Sequence, residues 1–357
     1  MAPEAYPMNG GDDTYSYTKN SNYQRDATNF VSEIMKAAIA EKLDVKSLTS
    51  TSNTLRIADL GCSVGPNTFV AMQNVLETME KNYHSQGLGS KMPEFHVFFN
   101  DHASNDFNTL FSSLPPDRQY FATGVPGSFH GRLFPESSLH FVHSSYALQW
   151  LTKVPEELLD ENSRAWNKAR IHYACAKEEV ANAYAAQFEK DMEIFLNARA
   201  KETVVGGMMV LILPGHQDDI HHSQVLACLL YDFLGSCLMD MVNAGLVGEA
   251  EVDSFNLPVY FPSPNEMAPL VERNACFSIE RMEMMRPRSN TDIAIDAQTL
   301  IMHLRAGMEG VFTKHFGREI VDEMFERAFQ KSPAEFSRLL DLSSTLNSLL
   351  FLALKRK

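Results

Sequence analysis

Short runs of apolar residues alternate along the chain with longer segments in which apolar positions recur at helical spacing. The first apolar run, 56–60, leads into a glycine turn, and a periodic segment that predicts a helix over about 68–83 follows it. Further apolar runs predict strands at about 95–99, 120–125, 139–143, 208–213, 277–284 and 349–355. Because most of these runs are largely apolar and they alternate with helices, they predict a parallel sheet covered on both faces.

Helical spacing also marks the segments between and around these runs. We expect helices at about 24–43, 176–204 and 292–330, and a mostly helical stretch over 217–275. The chain is therefore predicted to fold as one α/β unit over 1–357. Its sheet-containing core is expected to comprise approximately residues 50–150, 200–215, 277–285 and 349–357. A helical cap is expected to comprise approximately residues 1–45, 156–190, 217–275 and 292–330.

Polar side chains stand at the carboxyl ends of four predicted strands, where open α/β sheets bind their ligands. They are Asp59, Asp101, Ser128 and the segment 144–150. After the first strand, Gly61 and Gly65 lack the β-carbons that would keep a ligand from the backbone and from the next helix N-terminus. The pattern predicts a ligand site at this edge of the sheet.

The glycine turn favours a ligand with a cationic end. Asp59 stands just before the turn, and its carboxylate suits the sulfonium and amino groups of S-adenosylmethionine (SAM). The turn is not G-x-G-x-x-G and no Walker lysine follows it, so a pyrophosphate or triphosphate is disfavoured. An ordinary strand–turn–helix corner is the alternative interpretation.

Three further side chains admit two roles each. Asp101 can accept hydrogen bonds from both ribose hydroxyls of an adenosyl group, or it can cap the next helix. Phe129, beside Ser128, can stack on the adenine or belong to the core. The indole N–H of Trp150 can donate to a substrate carboxylate, with Gln24 as a second donor, or it can donate to a backbone carbonyl.

Composition and charge serve mainly to exclude classes of partner and location for this protein. The formal net charge is −14 and no block of Lys or Arg stands out, which argues against a nucleic-acid or anionic-membrane partner. The five cysteines are odd in number and scattered, as expected for reduced thiols in the cytoplasm. The first residues do not resemble a signal peptide, and no apolar run approaches the ~20 residues that span a bilayer.

The loop 216–222, HQDDIHH, carries residue types that bind zinc. Adjacent histidines on a helix point in different directions, however, unlike the i, i+4 pair of H-E-x-x-H. We favour a loop in which Asp218 or Asp219 caps a helix that begins near Ser223, with a zinc site as the alternative.

Several motifs, taken in order over nearly the whole chain, resemble the plant SABATH methyltransferases. They are MNGG at 8–11, SYTKNSNYQ at 16–24, ADLGCS at 58–63, FND at 99–101 with NDFN at 105–108, VPGSF at 125–129, HSSYALQWL at 143–151, FNLP at 255–258 and PSP at 262–264. These enzymes transfer a methyl group from SAM to small carboxylic acids, and one branch methylates purine nitrogens. The chain is most similar to the branch that includes loganic acid and farnesoic acid methyltransferases.

The resemblance implies a Rossmann-like class I SAM-dependent methyltransferase sheet with an α-helical cap, and it implies roles for particular residues. SAM would be held by Tyr17, Ser21, Asp59, Gly61, Asn67, Asp101, His102, Ser128 and Phe129, although the family usually has an aliphatic residue where His102 stands. The substrate carboxylate would be held by the catalytic pair Gln24 and Trp150, with Tyr146 and Gln149 beside them. A structural and optional Mg²⁺ would be held by Asn167, Asp253, Phe255 and Asn256. A cytoplasmic homodimer is also expected.

The expected reaction gives a methyl ester of a small plant carboxylic acid, an iridoid, terpenoid or aromatic acid. Because a carboxylic acid with a pKa near ~4 is already ionised, no general base is required, and the sequence offers no obvious one. The alternatives are an N-methyltransferase of a purine-like ring and a non-catalytic carrier. Gln149 is expected to favour a hydroxylated acid, unless it bonds a neighbouring side chain and never meets the substrate. The farnesoic-type resemblance favours a long apolar acid instead. Residues 1–24 are expected to close over the ligands.

Overall fold

The computed structural model describes residues 6–50, 53–87, 92–286, 297–331, 339 and 348–357. These residues form a seven-stranded sheet in the spatial order β3-β2-β1-β4-β5-β7-β6. The strands are β1 (Thr54–Leu60), β2 (Glu94–Asp101), β3 (Phe121–Pro126), β4 (Leu139–Ser145), β5 (Thr203–Pro214), β6 (Phe277–Met285) and β7 (Leu349–Arg356). A strand lies at each of the apolar runs that predicted one.

Helices cover the sheet and extend beyond one of its ends. They are α1 (Tyr17–Asn20), α2 (Asn22–Lys42), α3 (Val45–Thr49), α4 (Pro66–Ser85), α5 (Phe107–Ser112), α6 (Glu178–Glu202), α7 (Leu226–Asn243), α8 (Glu249–Asp253), α9 (Pro264–Asn274), α10 (Ala297–Phe316) and α11 (Arg318–Gln330). Two short 3₁₀ turns span Glu156–Leu158 and His222–Gln224. The predicted segment 292–296 and residues 1–5 lie outside the described part of the chain.

The prediction of an entirely parallel sheet is wrong for β7. This strand pairs antiparallel with both β5 and β6, while the pairs among β3, β2, β1, β4 and β5 are parallel. Six of its eight residues, Leu349 to Leu354, are buried. A continuous apolar run indicates a strand buried on both faces, but it carries no information about direction.

β1 lies between β2 and β4 and delivers the glycine turn to the carboxyl end of the sheet. Its residues from Ile57 to Leu60 are buried, as their apolar run predicted. Gly61 has a φ of +82°, and a β-carbon there would lie 2.3 Å from that of Ala147. α4 then begins with Pro66. Proline is favoured in the first turn of a helix because it lacks a backbone N–H at a position where that group would have no intrahelical partner.

α7, α10 and α11 pack together in the helical cap. α7 is an 18-residue helix that is apolar enough, by length and composition alone, to cross a membrane. The sequence-based statement that no apolar run approaches this length therefore overlooked it. More than half of α7 is buried inside the protein, and residues such as Leu234 and Leu238 are fully enclosed, which is the arrangement of a core helix.

Residues 6–20, here called the N-terminal strap, connect the cap to the sheet. Asn9 donates its backbone N–H to Ala306 O of α10 over 3.1 Å. Gly11 donates to the Asp106 carboxylate, which also caps α5, over 3.1 Å. Hydrogen bonds at two nearby strap residues, Asn9 and Gly11, therefore join the strap to α10 of the cap and to α5 beside the sheet.

Candidate active site

Three adjoining cavities lie at the carboxyl ends of β1, β2 and β4, and Tyr17 lines all three. The cap cavity extends under α7 and α10 and has about 930 Å³ of empty space, open solvent included. The strand-end cavity, next to Asp101 and Ser128, has about 700 Å³, and the turn cavity, around the β1–α4 turn, has about 420 Å³. Tyr146 and Trp150 line both the cap cavity and the strand-end cavity, so they mark the junction between the two.

Asp101 is held by backbone donors at the wall of the strand-end cavity. Its carboxylate accepts from the N–H of Ser63 over 2.8 Å and from the N–H of His102 over 2.7 Å. Burial raises the pKa of this carboxyl, while the two backbone hydrogen bonds act in the opposite direction. The alternative that Asp101 caps the next helix is wrong, because Asp106 caps α5 by accepting from the Thr109 N–H.

Ser128 and Phe129 follow β3 and also line the strand-end cavity, together with His102. Phe129 is 7% exposed and belongs to the core, and because it also lines the cavity, its stacking on adenine stays a prediction. Arg199, buried in α6, donates to the carbonyl oxygens of Phe129 and Gly131. Glu202 pairs with Arg199 and accepts from the N–H of Phe134 over 3.0 Å. One buried ion pair therefore holds the loop 129–134 that follows β3.

At the turn cavity, Ser21, the residue that follows the strap, contacts the start of α4. Asn67 Nδ2 donates to both the carbonyl oxygen and the hydroxyl of Ser21, each over 3.0 Å. Arg25 Nε lies 3.4 Å from Asn67 Oδ1 and donates to it. Two of the predicted SAM residues, Ser21 and Asn67, are therefore direct neighbours although they come from distant parts of the sequence.

Asp59 lies in the same cavity with both carboxylate oxygens engaged. Oδ1 is 2.7 Å from His143 Nδ1, and Oδ2 accepts from the Thr68 hydroxyl. His143 was quoted in the motif 143–151 but received no predicted role. Its position opposite Asp59 on the neighbouring strand follows from the pairing of β1 with β4, which the sequence does not specify.

The cap cavity contains the four residues predicted to meet the substrate: Gln24, Tyr146, Gln149 and Trp150. Gln149 Nε2 donates to the Tyr146 carbonyl over 2.8 Å, and its Oε1 is buried with no hydrogen-bond partner within the described ranges. Trp150 stacks on Tyr6 of the strap with ring centroids 6.1 Å apart. Gln149 therefore bonds a backbone carbonyl and not a neighbouring side chain, and its contact with the substrate stays a prediction.

His303 of α10 is a cavity residue that sequence reasoning missed. Its Nδ1 lies 3.0 Å from Asn20 O, and its Nε2 lies 3.4 Å from Gln24 Nε2. The contact joins positions separated by 279 residues, and no local pattern marks such a pair.

Among the four positions proposed for a metal, the side-chain oxygen of Asn256 and one carboxylate oxygen of Asp253 already accept hydrogen bonds from the protein. Asn167 Nδ2 donates to Asn256 Oδ1 over 2.7 Å and to His172 O over 3.3 Å. Asp253 Oδ1 accepts from the Ala169 N–H over 2.7 Å. The Asn256 atom left buried without a partner, among the residues described, is Nδ2, a donor that cannot ligate a cation. As arranged, this set does not fit Mg²⁺, and Phe255 contributes only its carbonyl oxygen.

The histidine-rich loop also differs from its prediction. His221, not an aspartate, caps the 3₁₀ turn His222–Gln224, while Asp218 accepts from the Asn265 N–H of α9. His216 and His222 have ring centroids 6.2 Å apart. The described residues nevertheless contain no group of three His, Cys, Asp or Glu side chains that could hold a metal ion.

Taken together, the sheet order and the cavities define a class of protein. A seven-stranded sheet in which antiparallel β7 is inserted between β5 and β6, with a carboxylate at the end of β2, is the architecture of the class I SAM-dependent methyltransferases.

Comparison with known proteins agrees with this class. A family model for SAM dependent carboxyl methyltransferases matches residues 3–357. The chain is 48% identical over 359 residues to a loganic acid O-methyltransferase of Catharanthus roseus, covering 100% of this chain and 95% of the relative. It is 38% identical over 328 residues to a farnesoic acid carboxyl-O-methyltransferase of Arabidopsis thaliana, covering 92% of each.

A solved structure of loganic acid methyltransferase with S-adenosylhomocysteine (SAH) matches with a TM-score of 0.92 and 46% identity, over 98% of this chain and 99% of the other. The chain therefore belongs to the SABATH family of SAM-dependent carboxyl methyltransferases. The resemblance inferred from the motifs is confirmed.

Proposed function

We propose that the protein transfers a methyl group from SAM to a carboxylate oxygen of a small hydroxylated plant acid and releases the methyl ester. The observation that carries this proposal is the junction at Tyr146 and Trp150, which line both the strand-end cavity and the cap cavity. A donor bound on one side and an acid bound on the other would meet there. The similarity to carboxyl methyltransferases supports the same assignment.

In this proposal the strand-end and turn cavities hold SAM. Asp101, whose carboxylate faces the strand-end cavity, would accept from the ribose hydroxyls, and Ser128 and Phe129 would contact the adenine. The methionine part would lie in the turn cavity. The residues proposed to hold it are Tyr17, Ser21, Asp59, Gly61 and Asn67, with His102 on the adenosyl side.

The acid is proposed to lie in the cap cavity, with its carboxylate held by Gln24 and Trp150. SAM supplies an electrophilic methyl on a positively charged sulfur. The protein aligns the carboxylate oxygen with that methyl and excludes water, and such positioning supplies up to about 7–11 kcal/mol. An ionised acid needs no proton removed, in agreement with the absence of Asp, Glu, Lys and Arg among the described residues that line the cap cavity.

Gln149 supports a hydroxylated acid over a hydrocarbon one. Its Oε1 is buried and has no hydrogen-bond partner in the part of the chain that the structure describes. A buried acceptor left in this state costs about 1–3 kcal/mol, and a substrate hydroxyl would remove that cost. The similarity to loganic acid O-methyltransferase agrees with a hydroxylated acid, whereas the similarity to farnesoic acid carboxyl-O-methyltransferase favours a long apolar one.

The remaining expectations stay predictions. A cytoplasmic location is supported by five free cysteines, and the acidic net charge disfavours nucleic-acid and membrane partners. A homodimer rests on family resemblance alone. An optional structural Mg²⁺ would require the Asn256 amide to turn, and no step of the reaction depends on it.

The experiment is an assay of the protein with labelled SAM and a panel of plant acids that differ in hydroxylation. We expect a product that releases labelled methanol in mild alkali, as a methyl ester does. An alkali-stable label would indicate transfer to a purine-like nitrogen, and a protein that binds SAM and acids without transfer would be a carrier.

A further inference from the structure

The Asn20 carbonyl determines where His303 carries its hydrogen. Nδ1 of the ring lies 3.0 Å from that oxygen, and a carbonyl oxygen can only accept. Nδ1 therefore carries a hydrogen whenever this contact is made. Nε2, the second ring nitrogen, is a bare acceptor when the imidazole is neutral and an N–H donor when it is protonated.

Nε2 of His303 in turn determines the direction of the Gln24 amide. The amide turns its nitrogen toward a bare acceptor and its oxygen toward an N–H donor. In the structure Gln24 Nε2 faces His303 Nε2 over 3.4 Å, which corresponds to a neutral imidazole. Gln24 Oε1 is then buried with no hydrogen-bond partner among the residues that the structure describes.

The two amide directions suit different ligands. With neutral His303, the group of Gln24 left without a partner among the described residues is its buried carbonyl oxygen, next to the cap cavity that Gln24 lines, and this oxygen repels a carboxylate. With protonated His303, Gln24 presents its NH₂ group, and the imidazolium of His303 adds a positive charge next to it. Both features favour a bound carboxylate. No Asp, Glu, Lys or Arg is among the described residues that line the cavity, so no other side chain there balances the anion.

We propose that binding of the substrate carboxylate takes up one proton at His303 Nε2 and turns the Gln24 amide, so that His303 is a positioning residue. The inference rests on the proposed function, in which Gln24 holds the carboxylate. One proton moves from the buffer to Nε2, and no covalent bond between heavy atoms changes. Once the neutral ester has formed, the anion is gone and His303 returns the proton.

Burial of His303 sets the pH range of this coupling. Burial lowers the pKa of His303 below its ordinary value, and the Asn20 hydrogen bond opposes this only in part. The free protein therefore holds neutral imidazole near neutral pH. A bound carboxylate raises the pKa, so uptake is largest between the free and bound values and disappears above the bound value.

Other titratable groups near His303 do not account for such uptake. Those lining the same cavity are Tyr17 of α1, Tyr146 after β4 and Tyr231 of α7. Burial raises the pKa of Tyr17, and tyrosines are already protonated at neutral pH. On α10 itself, Arg305 pairs with Glu309 over 2.8 Å and with Asp322 of α11.

The test is calorimetric titration of the SAH-saturated protein with the panel acid that is methylated fastest. Titration in phosphate and in Tris, which differ in protonation enthalpy, gives the number of protons taken up. We expect uptake approaching one proton at the pH values where the free imidazole is neutral and the bound one is protonated, with acid affinity rising by as much as about tenfold per pH unit lowered. The methyl ester of the same acid, a neutral ligand, is expected to bind without uptake.

Two variants complete the test. His303→Gln, which cannot titrate, is expected to lose the uptake while keeping its affinity for SAH. His315→Gln, at an exposed histidine on the same helix, is the matched control and is expected to keep it. Equal heats in both buffers for the unmodified protein, or unchanged uptake in His303→Gln, would overturn the inference while ester formation stands. If no panel acid is methylated, the proposed function and this inference both fail.

Discussion

The Asp59 carboxylate and the His143 imidazole form a buried pair on adjacent strands, with Oδ1 of the acid 2.7 Å from Nδ1 of the ring. The two side chains are 5% and 1% exposed. The other oxygen of Asp59 accepts from Thr68 of α4. Residues of both β4 and α4 therefore hold the Asp59 carboxylate in the turn cavity. Its position depends on His143 and Thr68, which need not touch a ligand.

Replacing His143 by Leu is expected to weaken SAH binding and lower the melting temperature together. The buried carboxylate of Asp59 would lose a donor, at a cost of about 1–3 kcal/mol. His143→Asn, which retains an N–H donor, is expected to recover part of both losses. Thermal unfolding and calorimetry measure the two effects, and equal losses in the two variants would show that this hydrogen bond is unimportant.

Asp101→Ala is expected to weaken SAM binding by about 1.5–3 kcal/mol, the usual contribution of a charged hydrogen bond. The reason is that Asp101 is the carboxylate lining the strand-end cavity at the end of β2. Asp106→Asn is the matched control, because Asp106 caps α5 five residues later and does not line the cavity. An Asp101→Ala protein that folds and binds SAM normally would disprove the assignment.

The N-terminal strap is expected to become resistant to protease when ligands are bound. The strap contributes Met8 and Tyr17 to the cavities and is held to α10 and α5 by few hydrogen bonds, which water can replace when the cavities are empty. Limited proteolysis without ligand should cut within about the first 24 residues, and SAH plus acid should suppress the cutting. The same cleavage rate in both states would contradict closure.

Gln149→Met is expected to lower kcat/KM for a hydroxylated acid and to leave it unchanged or raise it for benzoate. The substitution removes a bare acceptor oxygen, so a hydroxyl loses its partner while an apolar ring gains surface. The loss should lie within the 1–3 kcal/mol range of an unpaired buried group, about five- to 150-fold. Equal effects on both acids would make Gln149 a structural residue only.

The sequence predicted the parts of the fold that rest on local patterns. The run 56–60, the turn at Gly61 and the helix after it appear as expected because their signals lie within a few residues of each other. The direction of β7 could not be predicted, since its apolar run is compatible with either orientation. Capping is similarly local, yet His221 was passed over in favour of the neighbouring Asp218 and Asp219.

The residues that line the cavities could be predicted from the sequence only where they belong to a family motif. Gln24 and Trp150 were named through family resemblance, and both line the cap cavity. His303 lies on α10, and its contact with Gln24 depends on how the cap folds back over the strap. No periodicity or spacing encodes that contact, so physical reasoning from sequence could not reach it.

In the proposed function, the acid and the methyl donor would contact different parts of the fold. Residues 225–231 of the α7 region and 300–308 of α10 line the cap cavity, whereas the strand ends and their turns line the other two. Substitutions in those two helical segments leave the pairing of the sheet untouched. Descendants of one ancestral enzyme can therefore exchange one acid for another through a handful of helix positions, while the donor chemistry is inherited unchanged.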